Sequence, residues 1–443
     1  MTTRRSFLIG GLSVAAASQL APARRVWAQA RSPAPAYILG ATAITQVFGD
    51  GQRLVAFAIE YDRPVEVAAL DPSLYAVEDR NIVRVYTNAA AKLTAGESDG
   101  RFVIVELLPA DEAARLYAQN GRSIVRRPAG ASVTVTPVDA AKATAGSAGK
   151  PGDAGSPPDF SAQPQSIATT AVRNLVLDDF TQAEFQDAET GDTLAYNLFV
   201  PHDRDPSEPL PVVLFMHDAG ATSPVVDTTL VQGLGAISWA SPEDRARHPA
   251  IVLAPQYASQ TVNDRSEGSS LLDTTLHLLD RIATEHNGDR RRLYATGQSG
   301  GGMMSIAMMI KEPELFAAAF LVACQWDPAL VEPLARQKLW VVVSEGDAKA
   351  FPGQNAIMKV IEGEGTAVSR ATLDGTSTPE EFAARVTRQA AEGALVNYTV
   401  LRKGTVVPQA QTDDPGSNHV NTWRIAYAIP GIRDWIMQQS RHR

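Results

Sequence analysis

A serine hydroxyl does not attack a carbonyl unaided. It needs a base to take its proton, an acid to orient that base, and donors for the charge that develops. The stretch "LYATGQSGGGMMSIAMMI", residues 293–310, supplies the serine. Gly297-Gln298-Ser299-Gly300-Gly301 has the spacing G-x-S-x-G, between an apolar run that reads as a strand and one that reads as a buried helix. In that setting the serine sits in a tight turn with its hydroxyl raised above a sheet. The backbone N–H of Gly300 then points at the same spot and can bind a developing oxyanion. A phosphate cradle is the wrong reading, because the spacing is neither G-x-x-x-x-G-K nor G-x-G-x-x-G. A glycine joint for close packing of helix on strand stays open.

The other parts should follow the serine in the order acid, then histidine. Only His419 and His442 lie beyond Ser299, and His442 is the penultimate residue. The expected base is therefore His419, in "SNHVNTWRIAY", just before an expected terminal helix, with a helix-capping or core histidine as the other reading. Asp347 closes the apolar run "LWVVVSEGD", where a strand must meet a loop, and is the expected acid; Glu345 and Asp374 are nearby substitutes. A second oxyanion donor is expected from "FMHDAGA", from the backbone N–H of Asp218 or Ala219, with Ala219 preferred. His217 precedes the nucleophile, breaks the order, and reads as structural. Gln325 and Trp326, just past the strand ending at Cys324, should flank the mouth of the pocket; by themselves they read equally as core or interface residues. No H-E-x-x-H, EF-hand loop or Cys/His cluster is present in the sequence, so neither metal nor cofactor is expected.

Chemistry of this kind needs a scaffold that brings distant residues to one sheet edge. From about Thr169 to Arg443, near-continuous apolar runs recur: "PVVLFMH", "AIVLAPQ", "RLYATG", "AAFLVACQ" and "LWVVVSEGD". Strands covered on both faces look like this, whereas half-exposed strands alternate. Helix-like segments lie between them, among them residues 271–286 and 377–393. The alternation predicts a mostly parallel sheet with helices on both faces and its site at the carboxyl ends of the strands. Segments near 221–247 and 348–376 are expected to overhang that site. Cys324 lies in the apolar "FLVACQW" and reads as a buried structural thiol.

Residues 36–138 differ. "RLVAFAIEY" places Val55, Phe57 and Ile59 on one face of a strand, and "RFVIVELL" does so for Val103, Val105 and Leu107. Short strands at this spacing predict a small β-sandwich without a catalytic cluster of its own. Residues 139–165 are rich in Ala, Gly, Pro and Ser and read as a flexible linker. At the N-terminus, Arg4-Arg5, a short apolar run and Ala28-Gln29-Ala30 have the pattern of a twin-arginine export signal over residues 1–30. The expected location is periplasmic or secreted, with no membrane anchor after cleavage. Removing that segment takes away four arginines and no acid, moving the formal net charge from −9 to −13. Such acidity argues against nucleic acid or an anionic membrane as the main partner.

These blocks together resemble a known family. "TGDTLAYNLFVP", "VVLFMHDAG", "RRLYATGQSGGGM", "ACQWDP", "LWVVVSEGDAKAFPG" and "NHVNTWRIAYAIPGIRDWIMQQ" look like an α/β-hydrolase esterase related to the polyhydroxybutyrate-depolymerase and feruloyl-esterase branch. Residues 36–138 are similar to the immunoglobulin-like N-terminal domain that some bacterial esterases carry. The resemblance implies an α/β-hydrolase fold after an all-β immunoglobulin-like sandwich. It implies Ser299, Asp347 and His419 as nucleophile, acid and base, acting on a small-molecule or polymeric ester. Two positions depart from the family: Gly300 where methionine is common, and Asp218 where many α/β-hydrolases have glycine. A serine peptidase using the same triad, and an inactive hydrolase-fold binding protein, are the rival readings.

Overall fold

The computed structural model describes residues 38–120, 123–135, 165–202, 205 and 207–441. The expected export signal, and all of the expected linker except Gln165, lie outside the described residues. The described residues form one packed unit.

The N-terminal runs form strands β1 (Ile38–Phe48), β2 (Gly51–Val65), β3 (Tyr75–Ala76), β4 (Ile82–Asn88), β5 (Gly100–Leu107), β6 (Tyr117–Asn120), β7 (Ser123–Arg126) and β8 (Ser132–Val135). Two further strands, β9 (Gln165–Ala168) and β10 (Ala171–Asn174), return to the same region. The sheets run β10-β1-β2-β5-β4 and β3-β8-β9, with β6 and β7 as a separate ribbon. The sandwich therefore extends to Asn174, not Val138, and the sheet-and-helix part starts later than Thr169. Strands as short and exposed as β9 and β10 carry no apolar alternation, and their place is set by backbone pairing with β8 and β1. Val103, Val105 and Leu107 pack with Phe57 and Ile59 as expected. Val55 does not; it packs on the opposite side with Ala56 and Ala58. β1 pairs Ile44 with Ala56 but Thr45 with Leu54, so a bulge at Val55 inserts one residue and switches the faces.

The second part contains β11 (Thr181–Gln186), β12 (Thr193–Phe199), β13 (Leu210–Met216), β14 (Ile251–Gln256), β15 (Gly288–Gln298), β16 (Ala318–Val322), β17 (Leu339–Ser344), β18 (Val368–Leu373) and β19 (Val396–Leu401). They form one sheet in the order β11-β12-β14-β13-β15-β16-β17-β19-β18. β11 and β12 run antiparallel, and the pairs from β14 to β18 are parallel. The helices are α1 (Thr228–Val231), α2 (Leu234–Ile237), α3 (Pro242–Arg247), α4 (Leu271–Glu285), α5 (Gly300–Lys311), α6 (Ala350–Gly363), α7 (Pro379–Ala390), α8 (Pro415–Ala426) and α9 (Ile432–Met437).

β13 shows why its run is continuous. Val212, Leu214 and Met216 pack with α4 and α5 residues such as Leu278, Ile282 and Met308. Val213 and Phe215 face the other way, onto Ala236 of α2 and Trp423 of α8. Each aliphatic side chain buried this fully contributes about 1.5–3 kcal/mol, so neither face tolerates a polar residue. Apart from Lys349, which lines the cavity at Ser299, the two expected overhangs are largely core and edge elements. Leu230, Ile237 and Trp239 of the 221–247 segment are buried under the sheet, and the 348–376 segment makes α6 and the edge strand β18. Among the described residues, no helix is long and apolar enough to cross a membrane.

Candidate active site

β15 delivers Ser299 directly into α5, and the turn between them is strained. Ser299 has φ +50° and ψ −117°, a region that non-glycine residues avoid. The neighbouring glycines explain how the strain is held. A Cβ on Gly301 would lie 1.9 Å from the Met216 carbonyl oxygen, and one on Gly297 would lie 2.3 Å from the Gly301 backbone. The glycines are thus a packing joint, and that joint is what seats the serine turn against β13. The Ser299 N–H donates to the Val322 carbonyl at the end of β16 (2.9 Å), which fixes the turn from the other side.

His419 reaches Ser299 from α8. Its Nε2 lies 2.8 Å from Ser299 Oγ, and its Nδ1 lies 2.5 Å from Asp347 Oδ2. His419 stands inside α8, not before it. Asp414 caps the helix by accepting from the Ser417 N–H (2.8 Å) with Pro415 next, so the helix begins four residues ahead of the histidine. Ser344, at the end of β17, donates to Asn418 Oδ1 (2.9 Å) and ties that helix to the strand preceding Asp347. The Trp423 ring meets the imidazole edge to face at 5.2 Å.

Asp347 is buried, yet its carboxyl is held below the usual range. Burial works the other way and is the largest influence. The hydrogen bond and charge of His419, with the N–H groups of Ala350 (2.8 Å) and Lys349 (3.0 Å) on Oδ1, outweigh it. An anionic Asp347 fixes the His419 proton on Nδ1, leaving Nε2 as the acceptor for Ser299. Glu345 instead accepts from the Lys403 N–H (2.9 Å), and Asp374 accepts from Thr376.

The loop after β13 faces this chain of hydrogen bonds. A Cβ on Gly300 would lie 3.2 Å from the Ala219 nitrogen, so the two expected oxyanion amides are neighbours. His217 orients one of them. The Tyr257 N–H can only donate, so His217 Nε2 accepts it (3.0 Å) and Nδ1–H donates to the Asp218 carbonyl (2.7 Å). Burial pushes the His217 pKa down, which keeps the ring neutral. In a trans peptide the carbonyl and the next N–H point in opposite directions. Pinning the Asp218 carbonyl inward therefore turns the Ala219 N–H outward.

The Asp218 side chain does not face Ser299. Its carboxylate accepts from the Gly220 N–H (2.8 Å) and from Gln298 Nε2 (3.2 Å). The cavity at Ser299, about 90 Å³, is lined by Gly300, Ala219, His419, Met303, Gln325 and Lys349, with Gln260, Val262, Asn263 and Asp264 from the loop after β14. Gln325 thus lies at the site as expected. Trp326 does not line this cavity; it is 6% exposed and packs in the core with Met303 and Val331, because consecutive residues after β16 point to opposite sides. The 257–264 loop went unread in the sequence, since it has neither periodicity nor a motif. Lys349 forms an ion pair with Asp264 across the mouth. Cys324 is fully buried and its thiol is pushed up to about 12 by that burial, so it is inert. Among the described residues, no group of three or more His, Cys, Asp or Glu could hold a metal ion.

Residues 40–150 match the family model described as the esterase Ig-like N-terminal domain, and residues 261–330 match that of the prolyl oligopeptidase family. A comparison with curated proteins finds no match. Among solved structures, a thermostable esterase is similar over 91% of this chain and 100% of its own, with TM-score 0.74 and 24% identity. A mutant feruloyl esterase module from Clostridium thermocellum, complexed with sinapinate, is similar over 60% of this chain and 90% of its own (TM-score 0.40, 11% identity). An acetyl xylan esterase from Aspergillus awamori is similar over 41% and 80% (TM-score 0.32, 15% identity). The chain joins an N-terminal β domain, similar to the esterase Ig-like model, to a domain of the α/β-hydrolase fold.

Proposed function

We propose that this protein is an exported serine hydrolase of carboxylic esters, working through an acyl-enzyme on Ser299. The observation that carries this reading is the continuous chain from Ser299 Oγ through His419 to Asp347, at 2.8 and 2.5 Å, beside the amides of Gly300 and Ala219. Ser299 Oγ bonds to the ester carbonyl carbon while His419 Nε2 takes its proton. The anionic Asp347 stabilises the resulting imidazolium. The former carbonyl oxygen, now negative, is met by the two amides. Collapse breaks the bond to the alcohol oxygen, which leaves with the His419 proton. Water then attacks the acyl-enzyme by the same steps and releases the acid.

The esterase-type N-terminal domain supports esters as the substrate class. The prolyl oligopeptidase match over residues 261–330 favours a second reading, cleavage of amides by the same groups. Fluorophosphonate labelling of the folded protein tests the mechanism: labelling is expected, and Ser299→Ala should abolish it. Equal labelling of both would overturn the assignment. Short acyl esters assayed beside peptide amides separate the two substrate classes, and turnover of neither would point to a binding protein. Export through Arg4 and Arg5 is tested by a reporter fused after residue 30, which should be retained in the cytoplasm when both are changed to lysine.

A further inference from the structure

The β6–β7 hairpin packs on β2 of the sandwich as a separate ribbon, yet it lies against the loop that carries Ala219. Tyr117, the first residue of β6, is 3% exposed. Burial, and then the charge of Asp218 nearby, keep its hydroxyl protonated. The ring is backed by the β1–β2 turn, where a Cβ on Gly51 would lie 2.8 Å from it. Arg126, the last residue of β7, donates through both Nη atoms to the two carboxylate oxygens of Asp227, each at 2.7 Å. Such a fork sets position as well as charge. The pair is partly withdrawn from water, at 32% and 25% side-chain exposure, so it is worth more than an open surface bridge. Asp218 adjoins Ala219 and Asp227 ends the loop before α1. One hairpin therefore holds the oxyanion loop at both ends.

The sandwich also touches the histidine helix. A Cβ on Gly49, in the β1–β2 turn, would lie 2.6 Å from Arg424 Cγ of α8. Yet every residue lining the cavity at Ser299 comes from position 219 or later. The sandwich thus meets the parts that hold the reacting groups without lining the space where substrate would sit.

We propose that the β6–β7 hairpin is a positioning clamp for the oxyanion loop, with Arg126 and Tyr117 as positioning residues that keep the Ala219 N–H aimed at the substrate carbonyl. This rests on the hydrolase reading above. A donor displaced by a fraction of an ångström should slow the chemical step without weakening ground-state binding.

The test compares the full chain with Arg126→Ala, Arg126→Lys, Tyr117→Phe and the pair Arg126→Ala/Asp227→Ala. For each, kcat and KM on a short ester, the Ki of a trifluoromethyl ketone, and the Tm are measured, with kcat normalised by active-serine titration. Arg126→Ala should lower kcat roughly tenfold or more with KM within about twofold, and should weaken the ketone, which presents an oxyanion, by a matching factor. Arg126→Lys should fall between, since it keeps the charge but loses the fork. Tyr117→Phe keeps the packing and should lose less. The double variant should be no slower than Arg126→Ala, because both changes break one contact. Unchanged kcat per titrated serine, or a kcat loss without weaker ketone binding, overturns the clamp while leaving the hydrolase reading intact. A native chain that neither turns over esters nor labels sinks the hydrolase reading, and the clamp with it.

Discussion

Replacing Gly300 by alanine places a methyl group between the two amides proposed to bind the oxyanion. The new Cβ would lie 3.2 Å from the Ala219 nitrogen, 3.5 Å from its Cβ and 3.7 Å from its Cα. Relief requires the loop to retreat by about 0.2–0.4 Å, given ordinary carbon contacts near 3.5 Å. That loop is tied by the His217 bond to the Asp218 carbonyl and by the Asp218 bond to the Gly220 N–H, so it yields little. Removing an oxyanion donor altogether costs about 10²–10³ in kcat. A partial displacement should cost about 5- to 30-fold on the same scale, with KM nearly constant. Stability should not follow, because Gly300 opens α5 and alanine is the better helix former by up to about 1 kcal/mol. The assay pairs kcat on a short ester, normalised by active-serine titration, with thermal unfolding. Gly301→Ala is the contrast: its Cβ would lie 1.9 Å from the Met216 carbonyl oxygen, backbone against backbone, and Tm should drop sharply. A Gly300→Ala enzyme within twofold of the native kcat, or one whose Tm falls in step with its activity, would refute the reasoning.

Other perturbations separate the remaining parts. Asp347→Asn keeps the shape but removes the charge that holds the His419 proton on Nδ1, so kcat should fall about 10⁴-fold while labelled protein remains folded. His217→Phe deletes the donor to the Asp218 carbonyl and leaves the Tyr257 N–H without its buried acceptor. It should cost about 1–3 kcal/mol in denaturant unfolding and lower kcat per active serine. Far from the site, His277 Nδ1 lies 2.7 Å from Asp187 Oδ2, joining α4 to the β11–β12 turn. The bond to Asp187 raises the His277 pKa against a smaller effect of burial. Burial acts to raise the Asp187 pKa, but its bonds from His277, Glu189 and Thr190 win and lower it. This stabilisation should be complete below the unfolded histidine value near 6.5 and fade as pH rises through the raised one. It should also vanish as acid takes the pH through the lowered value of Asp187. The Tm gap between the native protein and His277→Gln should thus be widest from about pH 4 to about pH 6.5; a flat gap from pH 5 to 10 would count against the pair.

Much of this arrangement was legible because it is local. Continuous apolar runs announced strands buried on both faces, as β13 shows with Val213 and Phe215 on one side and Val212 and Leu214 on the other. Ser299, Asp347 and His419 were readable as a set from residue type, order and position at strand ends. The structure brings them within hydrogen-bond distance across 120 and 72 residues of chain. Features that depend on distant pairing left no such trace. The return of β9 and β10 to the sandwich, the bulge at Val55 and the Arg126–Asp227 fork are each set by a partner with no periodic signature. The loop lining the cavity at Gln260 and Asn263 was missed for the same reason.

Asp218 draws these threads together. A carboxylate beside an oxyanion site should oppose the charge that forms there, and glycine at this position would avoid the conflict. Here the carboxylate is turned from the cavity at Ser299 and spent on Gly220 and Gln298, with Tyr117 of the sandwich beside it. Gln298 precedes the nucleophile, Gly220 follows Ala219, and Tyr117 opens the hairpin. One buried acid thus links the serine turn, the oxyanion loop and the N-terminal domain. Replacing it by glycine would remove a nearby negative charge but release both hydrogen bonds at once. Since a buried network partly unmet is costlier than none, Gln298 Nε2 and the Gly220 N–H would lose an acceptor in a site that water reaches poorly. The balance in this chain therefore favours the acid, and the N-terminal domain reads as part of the catalytic scaffold rather than as an appendage to it.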